Sequence, residues 1–478
     1  TLVFYDGAAT DQFVGQLATD WTVSDDGTVW TFNIRPGVKF HAGGDLTPSD
    51  VAYSLQRGLL QGGYSSPQWL LAEPFFGVGV DDITGLVDDF ASADDRETLV
   101  ANPAEKLVAA CETVKSKIVA DDAAGTVTLT LAQAWGPFLA TIANGWGSVM
   151  DMEWVIENGG WDGSCDTWQN TYGMTSAEDP FSAVANGTGA FKLDHWTPGE
   201  EIVLARNESY WGEAAKTKTL VFRWSAEASQ RLLEIQAGTV DGIDNPTPDD
   251  FATIEGDANL NLIPRPGLNT GYIGLNSGLE PFDDVKVRQA FAMAIDQQRI
   301  VDNYYPKGSI TANNHLPPLI SPGSSPDVKW YEYDTDTAKA LLAEAGYTPG
   351  VGGILEKDGQ PLKLKLIYGP NTSKTLEKIA LVAQAQFRQV GVDVEIQSFE
   401  WGAFLEFQKK PPYDWDLTIG GWAGTLEPYW MHQIWSEKFI PDLNHVAYVN
   451  KEVEALFEEA RTNCDDLARI YGDIQRII

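Results

Sequence analysis

Basic residues and cysteines are scarce in this chain of 478 residues. Lysine and arginine together number 33, against 68 aspartates and glutamates, which gives a formal net charge of −35. So acidic a chain repels nucleic acid and anionic lipid, and this excludes both as main partners. The simplest interpretation of this acidity is that it keeps the protein soluble. The alternative interpretation is an acidic cleft that attracts cationic ligands.

A long apolar run is also missing. The longest uncharged segment, residues 123–150, is interrupted by glycines and by Pro137, and Val127, Leu129 and Leu131 alternate with polar residues in its first part. This pattern predicts a strand, a loop and a short helix, because a spanning helix needs about 20 consecutive apolar residues. The sequence therefore predicts no transmembrane segment.

Familiar catalytic motifs are absent as well. The chain has no G-x-S-x-G, no H-E-x-x-H, no P-loop and no dinucleotide fingerprint. Its five histidines are widely spaced and it has no C-x-x-C pair, so we predict no metal site and no cofactor. Paired carboxylates are abundant, and a secreted glycosidase therefore stays open as an alternative.

What the chain does have is a globular composition and a mixed pattern of elements. Hydrophobic residues make up 43% and charged residues 21% of a length that suggests two or three domains. Apolar positions at helical spacing in residues 379–387 precede an alternating strand at Val392, Val394 and Ile396. Helices interleaved with strands predict an α/β fold.

The most informative segment is residues 17–57. Trp30, Phe32 and Ile34 alternate with polar residues and predict a strand, and a Pro-Gly turn and a second short apolar segment follow. Thr47 is expected to cap a helix with Pro48 at its first position. The segment therefore predicts a strand, a turn, a strand and a capped helix.

The same segment resembles a known family. It carries LATDW, DDG, W-T-F, R-x-G-V-K-F-H and T-x-x-D-V in this order, and residues 187–191 (GTGAF) and 206–212 (RNESYWG) add a second such passage. These words resemble the family 5 extracellular solute-binding proteins, which are the peptide, nickel and oligosaccharide receptors of ABC importers. The resemblance extends over nearly the whole chain.

The resemblance implies a two-lobed type II periplasmic binding protein with an extra subdomain in its first lobe. We expect the first lobe in residues 1–40, 184–265 and 442–478, the extra subdomain in residues 41–183, and the second lobe in residues 266–441. A ligand is expected between the lobes, and the closed form is expected to deliver it to an ABC transporter permease.

The resemblance also implies a periplasmic or extracellular monomer that has membrane contact only through a possible lipid anchor. By comparison with the family, we expect both ends of the sequence to have been cut. An oligopeptide is the favoured ligand and an oligosaccharide the alternative, and a sensory receptor that no longer feeds a transporter is a third possibility.

Ligand contacts are expected where a strand ends in glycines and a tryptophan. Open α/β sheets bind ligands at the carboxyl ends of their strands, and we expect the strand from Asp416 to Ile419 to break at Gly420-Gly421-Trp422. The segment around Trp135 is rich in tryptophan, whose flat faces suit sugar rings. The predicted ligand-binding residues are Gly421, Trp422, Ala423, Gly424, Thr425, Glu427, Asn269, Tyr272, Asn276 and Trp146.

Two departures from the peptide-binding pattern affect the choice of ligand. Where Thr425 stands, peptide-binding relatives carry an aspartate that pairs with the α-ammonium group of the peptide. Dipeptide-binding relatives also use an arginine to bind the peptide carboxylate, and the corresponding residues 369–373 contain no arginine. A buried charge without a partner is costly, so a dipeptide specialist is not expected. With Glu427 as a substitute for the aspartate, longer peptides remain candidate ligands.

Three cysteines leave one over in any pairing. Cys111 and Cys165 fall in the same predicted domain, and outside the cytoplasm they are expected either to form a disulfide or to remain two buried thiols.

Overall fold

The structure is a computed structural model, and it describes residues 1–62, 69–77, 82–87, 96–175, 177–225, 227–265, 267–312, 314, 316–320, 325, 327–369, 375–423, 428–441, 443–463 and 466–478. The chain forms two compact units, Thr1–Trp224 and Ser225–Ile478. Within the described residues, every helix is too short or too polar to cross a membrane.

The first unit contains small antiparallel sheets with helices beside them. Its strands are β1 (Val3–Tyr5), β2 (Phe13–Gly15), β3 (Ala18–Val23), β4 (Val29–Ile34), β5 (Ile118–Asp121), β6 (Thr126–Thr130), β7 (Phe191–Thr197), β8 (Glu201–Arg206) and β9 (Thr219–Arg223). Its helices are α1 (Pro48–Gln61), α2 (Trp69–Phe76), α3 (Arg96–Val100), α4 (Ala104–Lys117), α5 (Phe138–Ile142) and α6 (Met152–Glu157). The strand orders are β1-β2, β3-β4-β6-β5 and β7-β8-β9.

The predicted strand and capped helix of residues 17–57 are present. β4 pairs with both β3 and β6, and Phe32 at its centre is fully buried. Thr47 and Asp50 form a reciprocal capping box at the start of α1, which satisfies two backbone N–H groups. The second predicted strand is reduced to a single bridge between Lys39 and Asp45.

A disulfide joins α4 to the segment that follows α6. Cys111 and Cys165 are bonded, with their Cα atoms 5.4 Å apart, and both are buried. Of the two alternatives left by the sequence, the structure therefore contains the disulfide.

The second unit is built on one mixed sheet. Its strands are β10 (Asn269–Leu275), β11 (Thr348–Pro349), β12 (Leu355–Lys357), β13 (Gln360–Pro361), β14 (Lys363–Tyr368), β15 (Asp393–Ser398) and β16 (Leu417–Ala423). Its helices are α7 (Ala228–Gln236), α8 (Phe251–Gly256), α9 (Val285–Met293), α10 (Gln297–Tyr304), α11 (Thr335–Glu344), α12 (Thr375–Gln389), α13 (Trp401–Lys409), α14 (Met431–Trp435), α15 (Lys451–Thr462) and α16 (Leu467–Ile477).

The order of the main sheet is β10-β16-β14-β15. β14 runs parallel to β15 and β16, whereas β10 is antiparallel to β16. The core contains Ile419 of β16, Phe291 of α9, Leu342 of α11 and Phe387 of α12. Helices that cover a partly parallel sheet agree with the α/β fold expected from the sequence.

The C-terminal helices pack within the second unit. Val453 and Phe457 of α15 and Ile470 of α16 share a buried cluster with Trp430 and Met431. The sequence led us to expect residues 442–478 in the first lobe, but their apolar faces are buried inside the second unit. The predicted lobe boundaries differ from the boundary between the two units, and the division into lobes stays a prediction.

Candidate ligand-binding site

Four strand ends of the second unit meet at one edge of the main sheet. β14 ends there at Tyr368, β15 at Ser398 and β16 at Ala423, and the antiparallel β10 begins there at Asn269. The carboxyl ends of parallel strands are where open α/β sheets bind ligands. This edge is therefore the candidate site.

β16 is longer than the sequence led us to expect. The predicted break at Gly420-Gly421-Trp422 is wrong, because the strand continues to Ala423. β10 pairs with it residue for residue, with Gly421 opposite Gly271 and Trp422 opposite Thr270. This pairing satisfies the backbone N–H and C=O groups that a loop would leave without partners. Trp422 is thus held by a strand.

Glycine makes room for a tyrosine in this strand pair. Tyr272 lies directly opposite Gly420, and a Cβ added at position 420 would stand 2.6 Å from the tyrosine hydroxyl. Residues paired across two strands share a face, and so do residues two apart along a strand. Tyr272 and Trp422 therefore lie on the same face of the sheet.

On that face, four rings form what we call the aromatic row: Tyr272, His445, Trp422 and Trp430. The Tyr272 hydroxyl and Nε2 of His445 are hydrogen-bonded at 3.1 Å. The His445 ring stacks near that of Tyr272, with centroids 6.3 Å apart, and near that of Trp422, with centroids 5.9 Å apart. The Trp422 and Trp430 rings are 6.2 Å apart. The row leads from the middle of β10 to the end of β16.

The aromatic row is uncharged at neutral pH. Burial and, to a smaller extent, the positive charge of Lys409 lower the pKa of His445 to about 4. Burial raises the pKa of the Tyr272 hydroxyl. Because both groups are neutral, the row presents flat apolar faces with a polar pair inside it.

A hydrogen-bonded loop holds His445 in place. Asn444 is fully buried, and its Nδ2 donates to the carbonyl oxygens of Ser436 at 3.0 Å and Tyr448 at 2.8 Å. The Asn444 side chain also accepts a hydrogen bond from the Tyr448 N–H at 3.1 Å. Val446, which follows His445, accepts a hydrogen bond at its carbonyl from the Ser277 N–H at 2.8 Å. The loop is thereby tied to the end of β10.

The structure brings some of the predicted ligand-binding residues together. Asn269, Tyr272, Gly421, Trp422 and Ala423 lie on the paired part of β10 and β16, and the exposed Asn269 is directly at the edge. Gly424, Thr425 and Glu427 lie outside the described residues.

Two other predicted residues are not part of this strand pair. Asn276 is fully buried beyond the opposite end of β10, where its Nδ2 donates to the Trp415 carbonyl at 3.4 Å. It comes seven positions after Asn269, a distance of roughly 23 Å along a strand. Trp146 belongs to the first unit, where its indole N–H is buried without a hydrogen-bond partner among the described residues.

The tryptophan-rich segment of the first unit forms core packing to a large extent. Trp135, Trp161 and Trp168 are at most 4% exposed, and the Trp168 indole donates to the Leu107 carbonyl at 2.9 Å. Trp161 stacks on Tyr53. These three rings are unavailable as sugar-binding platforms in this structure.

Sequence reasoning missed His445 and Trp430. Trp430 is eight positions after Trp422 and His445 is 23 positions after it, and no spacing rule joins either residue to Trp422. The buried Asn444 that fixes the loop gives no recognisable pattern either. Among the residues that the structure describes, no group of three histidine, cysteine, aspartate or glutamate side chains is arranged to hold a metal ion.

Comparison with known proteins gives consistent matches over most of the chain. A sequence profile of the bacterial extracellular solute-binding proteins, family 5 middle, matches residues 12–439. The dipeptide-binding protein of Escherichia coli (strain K12) is 30% identical over 424 residues, which covers 87% of this chain and 68% of that protein. Heme-binding protein A of Haemophilus influenzae is 29% identical over 476 residues, which covers 97% of this chain and 76% of that protein.

Solved structures give the same result. The oligopeptide-binding protein AppA from Bacillus subtilis, in complex with a nonapeptide, matches with a TM-score of 0.72 and 25% identity. The match covers 100% of this chain and 84% of the AppA chain.

Proposed function

Because this chain belongs to the bacterial extracellular solute-binding proteins of family 5, we propose that it captures an oligopeptide and delivers it to an ABC-type permease. The family consists of solute-binding receptors with the type II periplasmic binding protein fold, and the proposal adds the ligand and the direction of transport. Relatives named for dipeptides and an oligopeptide support the choice of a peptide.

The aromatic row at the carboxyl edge of the main sheet is the observation that carries this proposal. A micromolar ligand needs about 8 kcal/mol of net binding free energy. Covering one large aromatic face contributes about 2 kcal/mol, and backbone hydrogen bonds of an extended peptide supply more. An edge with Trp422 on a paired strand suits a ligand bound in this way.

We propose that Asn269, Tyr272, Gly421, Trp422 and Ala423 form the described part of the peptide site. Gly424, Thr425 and Glu427 follow directly in the chain and stay predicted contacts. Trp146 also stays a prediction. We leave Asn276 out, because it is buried beyond the opposite end of β10.

The alternatives lose support for physical reasons. The oligosaccharide alternative depended on the tryptophan-rich segment, three of whose rings are core residues. The glycosidase alternative has no support from the family, and we propose that the protein has no catalytic activity. Incubation with natural glycans tests this, and product formation that a single carboxylate substitution abolishes would contradict it.

Native mass spectrometry of the freshly purified protein tests the ligand. We expect added masses that disappear on mild denaturation and that fragment into amino-acid residues. Hexose-spaced masses would favour the oligosaccharide alternative.

For transport, the peptide-loaded protein is expected to stimulate ATP hydrolysis by the reconstituted permease more than the ligand-free protein does. Equal stimulation by both would contradict delivery.

A further inference from the structure

The aromatic row contains a residue that no ligand needs to touch. His445 is only 8% exposed, and it stands between Tyr272 on β10 and Trp422 on β16. Tyr272 and Trp422 have no ring contact with each other among those found in the described residues. The imidazole is therefore the link between the tyrosine and the tryptophan.

We propose that His445 is a positioning residue that fixes the Trp422 indole in the orientation in which it meets the ligand. The hydrogen bond with Tyr272 fixes the plane of the imidazole, and the stacked imidazole then limits the rotation of the Trp422 ring. This inference rests on the proposed function for its consequence, which is ligand affinity. The arrangement of the four rings itself does not depend on the proposed function.

Several contacts make His445 suitable for this role. The buried Asn444 anchors its backbone to Ser436 and Tyr448, and Tyr272 is held by the continuous pairing of β10 with β16. Neither Tyr272 nor His445 can therefore simply move together with the other residue. A ring held on both sides transmits orientation better than one held by packing alone, because a hydrogen bond restricts angle as well as distance.

A tyrosine substitution separates positioning from simple packing. Tyr272→Phe removes the hydroxyl but keeps the ring, and Trp422 keeps all of its own contacts. If His445 only fills space, this change leaves Trp422 unaffected. If it positions Trp422, the indole moves although no atom in contact with it has been replaced.

The test uses the full chain labelled with 5-fluorotryptophan. The chain has 17 tryptophans, and the ¹⁹F resonance of Trp422 is assigned as the one lost in Trp422→Phe. We expect that resonance to shift or broaden in Tyr272→Phe and in His445→Gln. The matched control is Tyr53→Phe, which removes a hydroxyl that donates to the Trp161 carbonyl in the first unit and leaves Trp422 unchanged.

A double-substitution cycle tests the link itself. In the His445→Phe background, Tyr272→Phe is expected to cause no further shift, because the hydrogen-bond partner of the tyrosine is already absent. Additive shifts would overturn the proposal, and so would an unchanged Trp422 resonance in Tyr272→Phe. Tyr272→Phe keeps the ring volume, so the test does not depend on the folding of the histidine variants.

A second measurement, by calorimetry, determines how tightly the protein binds an equimolar pool of tri- to pentapeptides. We expect His445→Phe, which removes the same hydrogen bond and changes no proposed ligand contact, to weaken binding about three- to tenfold, as is typical when one hydrogen bond is lost. Wild-type affinity together with a displaced Trp422 resonance would overturn the role in binding. If the wild type binds none of the pool, the proposed peptide function fails, whereas the ¹⁹F arm still decides whether His445 positions Trp422.

Discussion

Gly420 lies directly across the β10–β16 pair from Tyr272, at a distance that leaves no room for a side chain. The tyrosine hydroxyl would be 2.6 Å from a Cβ at position 420, and real Cβ atoms do not approach other atoms so closely. The glycine therefore determines where the tyrosine lies. The tyrosine in turn determines where it meets His445.

Gly420→Ala is expected to destabilise the second unit by about 1–3 kcal/mol, because the tyrosine ring must move out of a packed position. Urea unfolding measures this change. Gly421→Ala is the matched stability control, since its Cβ would meet nothing closer than the Thr270 carbonyl oxygen at 3.5 Å. Equal losses in the two variants would contradict the steric explanation.

Local patterns in the sequence predicted local structure well. Thr47 and Asp50 form the expected cap of α1, and the alternation around Phe32 forms β4. The family resemblance of residues 17–57 is confirmed by the profile match. These successes depend on short-range effects, namely helix capping and strand alternation, that a single sequence records directly.

The site was predicted less completely, for a physical reason. Gly420 and Gly421 are typical of a strand end, yet β10 pairs with them and extends the strand to Ala423. That pairing joins residues about 150 positions apart by chain number, and no local pattern records it. His445 was missed because its role depends on the same long-range pairing.

Asn444→Ala is expected to cost about 2–4 kcal/mol of unfolding free energy. The change leaves the carbonyl of Ser436 and the N–H and carbonyl of Tyr448 without their side-chain partner in a buried loop. Thermal or urea unfolding measures the loss. The exposed Asn303, whose Nδ2 donates to the Arg299 carbonyl at 2.7 Å, provides the control, and Asn303→Ala is expected within about 0.5 kcal/mol of the wild type.

Acid is expected to destabilise the protein partly through His445. The folded state holds this imidazole at a pKa of about 4, whereas the unfolded chain has a pKa of about 6.5. Between these values the unfolded state binds more protons, so the unfolding free energy falls as the pH falls from 6.5 to 4. The contribution lost is about 3 kcal/mol, from about 1.4 kcal/mol per pH unit.

The measurement compares the wild type with His445→Gln in urea at several pH values. The difference in unfolding free energy between the two proteins is expected to change across this window and to stay constant above pH 7. His432, whose pKa burial lowers to about 3, titrates in both proteins and cancels in the difference. A difference that does not depend on pH would contradict the burial of a neutral His445.

The Cys111–Cys165 disulfide is expected to stabilise the first unit by about 4 kcal/mol. The two cysteines are 54 positions apart, and closing a loop of that length lowers the entropy of the unfolded chain by about this amount. The double variant Cys111→Ala/Cys165→Ala and the wild type in reducing agent are expected to unfold at similar urea concentrations, well below the oxidised wild type. A loss below about 1 kcal/mol in both would contradict the prediction.

Trp422→Ala is expected to weaken peptide binding about ten- to a hundredfold. Truncation of one indole removes about 1.5–3 kcal/mol of apolar burial, and tenfold corresponds to about 1.4 kcal/mol. Trp224→Ala is the matched control, because that indole is 72% exposed and lies in the first unit. Calorimetry with the tri- to pentapeptide pool measures both, and circular dichroism verifies that both variants are folded. Because Trp422 also packs against the cluster around Trp430, a folded Trp422→Ala variant with wild-type affinity would assign the indole to packing and remove it from the peptide site.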